Sequence, residues 1–384
     1  MIESAFYWRG AFAAVAVCLA GSSSYAAALQ PDKFVGAAGC QSSSCHGGAG
    51  EKRHQFLTWV QQDFHYRAYA VLVSARSAQM AQTLGLTSAQ TSPRCTICHS
   101  PFQSVASARL TATAQVDEGV SCENCHSAAG SWLRGHTRKD WPYATRVGAG
   151  MRDLRSFYVR ANTCVACHQN IDRDLLQAGH PELMFELDGQ SVAEPEHWSD
   201  DGPACGPRAW LVGQAVALRE MSWALSQNEK ADSLGIVRWR GLAWLLAKVT
   251  GHQSRLPLIA PPDGTTSRGS FTSMQEQADL LARRAALDPL GDAFAATALH
   301  ELASADSEFV VSKNTPIELL YRRAQRLVPA LDRLSCATNQ QAAAPPKGPA
   351  LQDLFQDARS PAGFQPVKFV ADLATFRATM ERAP

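Results

Sequence analysis

The chain has 384 residues, and its 36 basic and 35 acidic side chains give a formal charge of +1. A charge so close to zero indicates neither nucleic acid nor an anionic membrane as a partner. We find no glycine-rich nucleotide loop, no nucleophile motif and no basic stripe, which argues against nucleotide-binding, hydrolase and nucleic-acid-binding classes. The unusual feature is a set of eleven cysteines accompanied by eleven histidines.

The beginning of the chain has the pattern of an export signal. Arg9 precedes an apolar run over residues 11–20, and residues 26–28 are alanines suited to cleavage. The run is too short to span a bilayer, and Val17 before Cys18 is not the small residue that a lipoprotein signal needs. We therefore predict a signal peptide over residues 1–28 and a soluble periplasmic protein that does not span a membrane after cleavage.

Four haem-attachment signatures follow in the first half of the chain. Three have the spacing Cys-x-x-Cys-His, and one is stretched by two residues: Cys95, Cys98 and His99; Cys122, Cys125 and His126; Cys164, Cys167 and His168; and the stretched set Cys40, Cys45 and His46. In each, two thiols can add to the vinyl groups of one haem while the histidine binds the iron. The motifs predict four covalently bound haem c groups, and they agree with export because c-type haem is attached outside the cytoplasm.

Other interpretations of the cysteines remain open. Cys-Cys-His sets can hold zinc with a fourth ligand, and the stretched pair Cys40 and Cys45 can form a local disulfide. Cys18 leaves with the signal peptide, so Cys205 and Cys336 are left over. These two form either a disulfide or two separate buried thiols.

The segment from Cys40 to His180 has fewer than forty residues for each haem, so side chains alone cannot form its core. It lacks the alternating β-branched runs of strands, and we predict short helices and loops packed on haems. This tetrahaem cytochrome c domain is expected over residues 29–205.

Beyond residue 206 the chain changes to long apolar periodic segments. We expect helices over residues 207–225, 237–249, 274–287, 294–303 and 317–334. Ser273 with Glu276, and Thr315 with Pro316, provide start signals for two of them. The prediction is an all-α protein, with a helical domain over residues 206–339, and a Pro/Ala linker and tail over 340–384 whose short helices can dock on the body.

Each haem of an electron carrier also needs an axial ligand opposite its motif histidine. His65 on an amphipathic segment, His136 in a hairpin loop and His180 beside Gly179 are the candidates, and His54 in a polar run is equally interpretable as a solvated histidine. Three histidines farther along are interpreted as loop or packing residues: His197, His252 and His300. Met184 is a further candidate, although methionine in a helical run more often packs.

Arginines are dense between the third and fourth motifs, where haem propionates need neutralising. They are Arg134, Arg138, Arg146, Arg152, Arg155 and Arg160, and an ordinary charged helix face is the alternative. Two propionates per haem would make the loaded protein acidic by about eight charges, which favours basic redox partners.

The order of these residues resembles the cytochrome c-554 family, the tetrahaem cytochromes associated with hydroxylamine oxidation. The resemblance covers roughly residues 36–185, including the segment from Trp59 to His65 and the run from Gly119 to His126. It implies three bis-histidine haems and one five-coordinate haem, with His65 and His136 as distal ligands and the haem of His99 open. The chain departs from the family in its stretched first motif, in residues 127–130, where the family tends to Gly-Pro-Gly, and in its added helical half.

Two functions are consistent with these features. The first is an exported electron carrier, which needs no catalytic side chain. Its expected partners are redox proteins, either other cytochromes or a quinone-linked membrane complex. The expected setting is nitrogen-compound or respiratory metabolism. The alternative is an oxidoreductase acting on a nitrogen oxide or hydroxylamine at a five-coordinate haem. A third and weaker hypothesis is a subunit that organises a cytochrome complex through its helical half, which can also support oligomers.

Overall fold

A computed structural model describes residues 32–50, 53–197, 206–228, 232–262, 266–313, 315–338 and 348–381. The predicted signal peptide, Cys205 and most of the predicted linker lie outside these residues. The described residues form helices, turns and two isolated β-bridges, with no named strand. The all-α prediction is therefore confirmed.

The haem-motif half, which we define as residues 32–197, contains short helices separated by turns. They are α1 (Gln55–Gln62), α2 (Ala68–Leu72), α3 (Ala75–Thr83), α4 (Pro93–His99), α5 (Cys122–His126), α6 (Tyr143–Gly148), α7 (Phe157–His168), α8 (Arg173–Gln177) and α9 (Leu187–Ala193). Single 3₁₀ turns such as Phe64–Arg67 connect some of them. Short helices gain little stability from their own hydrogen bonds, so this half depends on what packs against it.

The helical half, residues 206–381, is built from longer helices. They are α10 (Pro207–Gln227), α11 (Ser233–Thr250), α12 (Arg268–Leu287), α13 (Asp292–Ala303), α14 (Ile317–Thr338), α15 (Pro349–Asp357) and α16 (Pro366–Glu381). All five predicted segments are helical. Among the described residues, no helix is long and apolar enough to cross a membrane.

The expected start of α12 at Ser273 is wrong. The helix begins at Arg268, and Ser267 caps it by accepting a hydrogen bond from Ser270 N (3.2 Å) while Ser270 Oγ accepts from Ser267 N (2.7 Å). This reciprocal serine pair does what a capping box does. The first turn is polar, so apolar periodicity alone could not locate it.

The main hydrophobic core lies in the helical half and extends into α7 and α9. Ala161 and Val165 of α7, together with Phe185 and Leu187, are buried in the same cluster as α10 to α16. The haem-motif half has only a small cluster of its own, around Leu72, Ala81 and Ala89. The predicted boundary at residue 205 stays a prediction, since this core spans both sides of it.

Polar contacts also join α7 to the helical half. Tyr158 Oη donates to Asp279 Oδ1 (2.6 Å), and Arg219 Nη1 donates to the same carboxylate (2.9 Å). Arg219 Nη2 also donates to Asn162 Oδ1. The helix that carries the fourth motif is therefore fixed to α10 and α12 on one face.

The C-terminal helices pack on the body as the sequence suggests. Leu351 and Leu354 of α15 and Phe369, Leu373 and Phe376 of α16 are buried in the main core. Arg377 of α16 adds an ion pair with Asp306. The tail is thus part of the helical half.

Candidate haem sites

Three of the four motifs lie on helices. His99 and His168 are the last residues of α4 and α7, and α5 consists of the third motif alone, ending at His126. Helical positions i, i+3 and i+4 lie on one face, so both cysteines and the histidine of such a motif are directed to the same side. The spacing is therefore suited to a flat cofactor lying against the helix.

The stretched motif forms a turn. In a helix, a cysteine five residues on would lie about 140° around the axis from the first, so this spacing requires another conformation. Cys45 N donates to Ser42 O (2.8 Å), and His46 N donates to Cys40 O (3.3 Å). At Gly47 a Cβ atom would lie 1.8 Å from Gln41 O, so only glycine fits this turn.

The zinc and disulfide alternatives find no support in the geometry. Zinc ligands surround one ion, so their donor atoms lie close together. We therefore looked among the described residues for groups of three or more histidine, cysteine or acidic side chains whose donor atoms lie within 4.8 Å of one another. The only such group among these residues is Asp63, His65 and Glu194, and it contains no motif residue. Cys40 and Cys45 are both free thiols. Cys336 is half-buried, and its predicted pairing with Cys205 lies outside the described residues.

Cysteines of different motifs meet in pairs. The thiols of Cys40 and Cys122 are hydrogen-bonded, which lowers the pKa of Cys40 and raises that of Cys122. The thiols of Cys98 and Cys167 form a second such pair with the same opposite shifts. The attachment points of the first and third motifs are therefore adjacent, as are those of the second and fourth.

Each of three motif histidines faces one of the expected distal histidines. The ring centroids of His46 and His136 are 6.1 Å apart. Those of His65 and His168 are 6.0 Å apart, and those of His99 and His180 are 6.4 Å apart. The structure thus brings together His65, His136 and His180 with three different motifs.

This spacing matches two imidazoles bound to one metal ion. A metal–imidazole bond is about 2.0 Å long and the ring centre lies about 1.1 Å beyond the nitrogen, so two axial rings are about 6.2 Å apart. Direct stacking of aromatic rings can give similar distances. Here, however, all three pairs join a motif histidine to a histidine from another part of the chain.

The second ring nitrogen is already hydrogen-bonded in five of these six histidines. Nδ1 donates to a carbonyl or carboxylate oxygen in the following pairs: His46 to Gln55 Oε1 (3.0 Å), His65 to Asp63 Oδ1 (3.0 Å), His99 to Ala68 O (3.1 Å), His136 to Leu133 O (2.5 Å) and His180 to Pro181 O (2.9 Å). Metal-binding histidines characteristically donate their other N–H in this way, which fixes the tautomer and the ring orientation. The donor set therefore fits a haem iron bound through Nε2.

His65 is held most firmly. Asp63 caps the 3₁₀ turn by accepting a hydrogen bond from His65 N (2.8 Å), and Val120 N donates to His65 O (3.0 Å). A Cβ atom at Gly119, where φ is +77°, would lie 2.6 Å from His65 O. The Asp63 hydrogen bond raises the pKa of His65, and burial opposes it. Burial alone would raise the pKa of Asp63, but the hydrogen bonds that Asp63 accepts from His65 outweigh burial, so the pKa is lowered.

His180 is positioned by the end of α8. His180 N donates to Leu175 O (2.9 Å) and Gly179 N donates to Leu176 O (3.1 Å), with Gly179 at φ +104°. These are the two hydrogen bonds of a Schellman motif. The backbone thus ends the helix and turns His180 toward His99. The family-based expectation of an open iron at His99 is therefore not what this arrangement favours.

The remaining motif histidine, His126 of the third motif, forms none of these ring pairs. Burial lowers the pKa of His126 to about 4, and among the charges that add to this effect His197 is the first. His197 Nδ1 donates to Pro195 O (3.1 Å), as in the other distal candidates. In the sequence His197 follows Glu194-Pro-Glu and is interpreted as a loop histidine, so no local pattern indicates its charge interaction with His126.

The remaining candidates are not placed beside a motif histidine. His54 precedes α1, and its Nδ1 donates to Gly50 O (2.9 Å). Met184 lines a separate cavity near α10. His252 forms an ion pair with Glu301, and His300 lies within α13.

The arginines between the third and fourth motifs have varied protein partners. Arg138 pairs with Asp140, Arg152 Nη1 donates to Asn124 O (2.9 Å), and Arg155 lies over the Tyr143 ring. Arg152 N also donates to His126 O (3.0 Å). Arg152 is therefore bound directly to the third motif.

The sequence comparisons agree with these sites. Residues 40–127 match the family model of cytochrome c554 and c-prime. The resemblance predicted from the motifs is confirmed over this segment, which contains the first three motifs. The match supports a haem c-type electron carrier with covalently bound haem. No curated protein and no solved structure matches the chain.

Proposed function

We propose that the protein is an exported tetrahaem cytochrome that carries electrons between redox partners. The observation that carries this proposal is the set of three histidine pairs with ring spacings of 6.0 to 6.4 Å. Haem c supplies an iron that accepts and returns one electron. Two strong axial ligands leave such an iron no position for a substrate, which suits a carrier.

The chain provides an attachment pair and axial ligands for each haem. Cys40, Cys45, Cys95, Cys98, Cys122, Cys125, Cys164 and Cys167 would form the thioether bonds, and the axial pairs would be His46 with His136, His99 with His180, and His168 with His65. His126 would serve the remaining haem, and His197 is the candidate opposite it. This proposal replaces His54 with His197 as the fourth distal ligand.

The meeting of cysteines from different motifs supports transfer within the protein. Cys40 contacts Cys122, Cys98 contacts Cys167, and the charges of Cys125 and Cys164 influence each other. These interactions support attachment points in the order first, third, fourth, second. Short separations between neighbouring cofactors are what single-electron transfer requires.

The helical half has a supporting role in this proposal. It packs against α7, which carries the fourth motif, and against the segment that leads from His180 to His197. It would therefore hold two distal histidines and one motif in position. Export, a soluble periplasmic location, cytochrome or quinone-linked partners, oligomerisation and a role in nitrogen metabolism belong to the proposal and rest on the sequence features alone.

Peptide mass spectrometry of the purified mature protein tests the proposal. Each of the four motif peptides should carry one haem, and the first residue of the mature chain should lie near residue 29. The reduced protein should then be reoxidised by a soluble cytochrome c without any small-molecule substrate. A motif peptide without haem, above all the stretched one, would contradict the tetrahaem assignment.

The oxidoreductase alternative is supported by one observation, because His126 forms none of the three close ring pairs. An open iron would then be the one bound by His126 and not the one bound by His99. Nitric oxide binding to the ferric protein distinguishes the two proposals, because a six-coordinate iron with two histidines resists it.

A further inference from the structure

A cavity of about 410 Å³ lies between the haem-motif half and the helical half. Its walls come from the segment after His168, from the segment after His180, and from α10, α11 and α14. No motif cysteine or histidine lines it. The cavity is therefore separate from the haem sites.

Four arginines line this cavity: Arg173 is exposed, and of the three less exposed ones Arg326 lacks strong hydrogen-bond partners. The side chain of Arg326 is buried, and its only hydrogen bond to the described residues runs from Nη1 to Phe185 O at 3.4 Å. A guanidinium has five N–H donors in a rigid fork. Burying a charge with so few hydrogen bonds is costly unless something else accepts them.

A second arginine has an unused donor. Arg238 Nη2 pairs with Glu182 Oε2 (2.7 Å), but its buried Nε has no hydrogen-bond partner among the described residues. Arg322 completes the group and is bound on both sides, by Glu182 (3.1 Å) and by Glu318 (2.9 Å). One lining carboxylate, that of Glu182, is thus shared by two arginines.

The other acidic side chains of the cavity wall are engaged elsewhere. Asp172 and Asp174 both accept from Arg94 (3.2 and 2.7 Å). Asp232 caps α11 by accepting from Gly235 N (3.0 Å). The carboxylates that line the cavity are thus already bound to arginines or cap a helix. None of them is hydrogen-bonded to Arg326 among the described residues, although the charges of Glu186 and Glu182 act on it.

We propose that this cavity binds a small organic carboxylate through Arg326. The guanidinium fork matches a carboxylate in geometry and charge. Met184, Met221 and Leu225 supply an apolar wall, which suits the carbon chain of an organic acid better than an inorganic ion.

Calorimetric titration of the haem-loaded full chain with succinate and with butyrate tests the proposal, and methylammonium serves as the cation comparison. The carboxylates should bind saturably and methylammonium should not. Arg326→Met should weaken carboxylate binding about tenfold or more, since a charged hydrogen-bond partner is lost. Arg323→Met is the matched control, because Arg323 lies on the same helix, is bound to Glu308 and does not line the cavity.

Ala224→Phe provides a second test that leaves every arginine in place. Ala224 lies on the α10 wall, so a phenyl ring there should fill the cavity and abolish binding even if Arg326→Met does not fold. Absence of carboxylate binding to the unaltered protein would overturn the proposal. So would a crystal structure of the haem-loaded protein in which a haem propionate accepts from Arg326, since the carboxylate would then belong to the resident haem.

Discussion

The two halves of this molecule satisfy the need for a core in different ways. The helical half buries large side chains such as Trp210, Trp239 and Phe369 in one continuous cluster. The haem-motif half has a separate cluster of only three buried residues, Leu72, Ala81 and Ala89. Its short helices surround histidine pairs and cysteines instead. A segment with so little buried apolar area can be stable only if a bound group supplies the missing core.

The comparison also explains why α7 belongs to both halves. It carries Cys164, Cys167 and His168 in its last turns, while Ala161 and Val165 are buried in the main core and Cys164 packs against that core. The helix therefore links a region that depends on haem to a region that does not. Substitutions in each half, and removal of haem, test how much of the chain depends on haem for its stability.

The largest expected effect comes from preventing haem attachment. If the full chain is produced without haem maturation, residues 32–156 should become sensitive to protease, because their core is missing, while residues 206–381 should stay protected. Limited proteolysis with circular dichroism measures this difference. Equal protection of both halves would show that the haem-motif half has an adequate core of its own.

Truncating a buried side chain in the helical half should lower the free energy of unfolding by a smaller but clear amount. Leu327→Ala removes a side chain that is 0% exposed, and such changes cost about 2–5 kcal/mol. Thermal unfolding of the haem-loaded protein should show the loss. Leu258→Ala, at a position 58% exposed, is the control and should change the free energy of unfolding little. If the two variants unfold alike, the main core has been placed wrongly.

In the haem-motif half, adding or removing a single charge should change the reduction potential of a haem more than the free energy of unfolding. Asp63 places a carboxylate on Nδ1 of His65 (3.0 Å), which makes the imidazole a stronger donor and stabilises ferric iron. Asp63→Asn should raise the potential of the haem bound by His65, by about 59 mV if the ferrous-to-ferric ratio changes tenfold. A spectroelectrochemical titration measures it.

Gln55→Glu makes the opposite change, because it adds a carboxylate beside a motif histidine where Asp63→Asn removes one beside His65. Gln55 occupies the same position beside His46, with a neutral amide. A carboxylate there should lower the potential of the haem bound by His46. An unchanged potential in both variants, with low-spin spectra preserved, would exclude this means of tuning.

The smallest expected effect concerns the turn after His126. Ser127 has φ +71° and ψ 166°, a region almost restricted to glycine, where other residues are strained by about 1–3 kcal/mol. Ser127→Gly should therefore stabilise the protein by about 1 kcal/mol, reduced somewhat by the greater freedom of glycine in the unfolded chain. Destabilisation in a denaturant titration would contradict the strain.

Local patterns made much of this molecule predictable. The cysteine spacing identified the motifs, and 3.6-residue periodicity located the long helices. The start of α12 was missed because Ser267 and Ser270 begin a polar turn. Distal ligands are harder to assign, since an axial pair joins residues far apart in sequence. Thus the sequence singles out His180 but does not indicate that its ring lies near that of His99, and no local pattern indicates the charge interaction between His197 and His126.

Low-temperature EPR of the oxidised mature protein, with haem quantification, tests the central claim most directly. Four haems, all low-spin, are predicted if His197 completes the axial pairs that His65, His136 and His180 form with the other motifs. A high-spin ferric signal from one haem in four would contradict a fully bis-histidine carrier and would favour an open iron at His126.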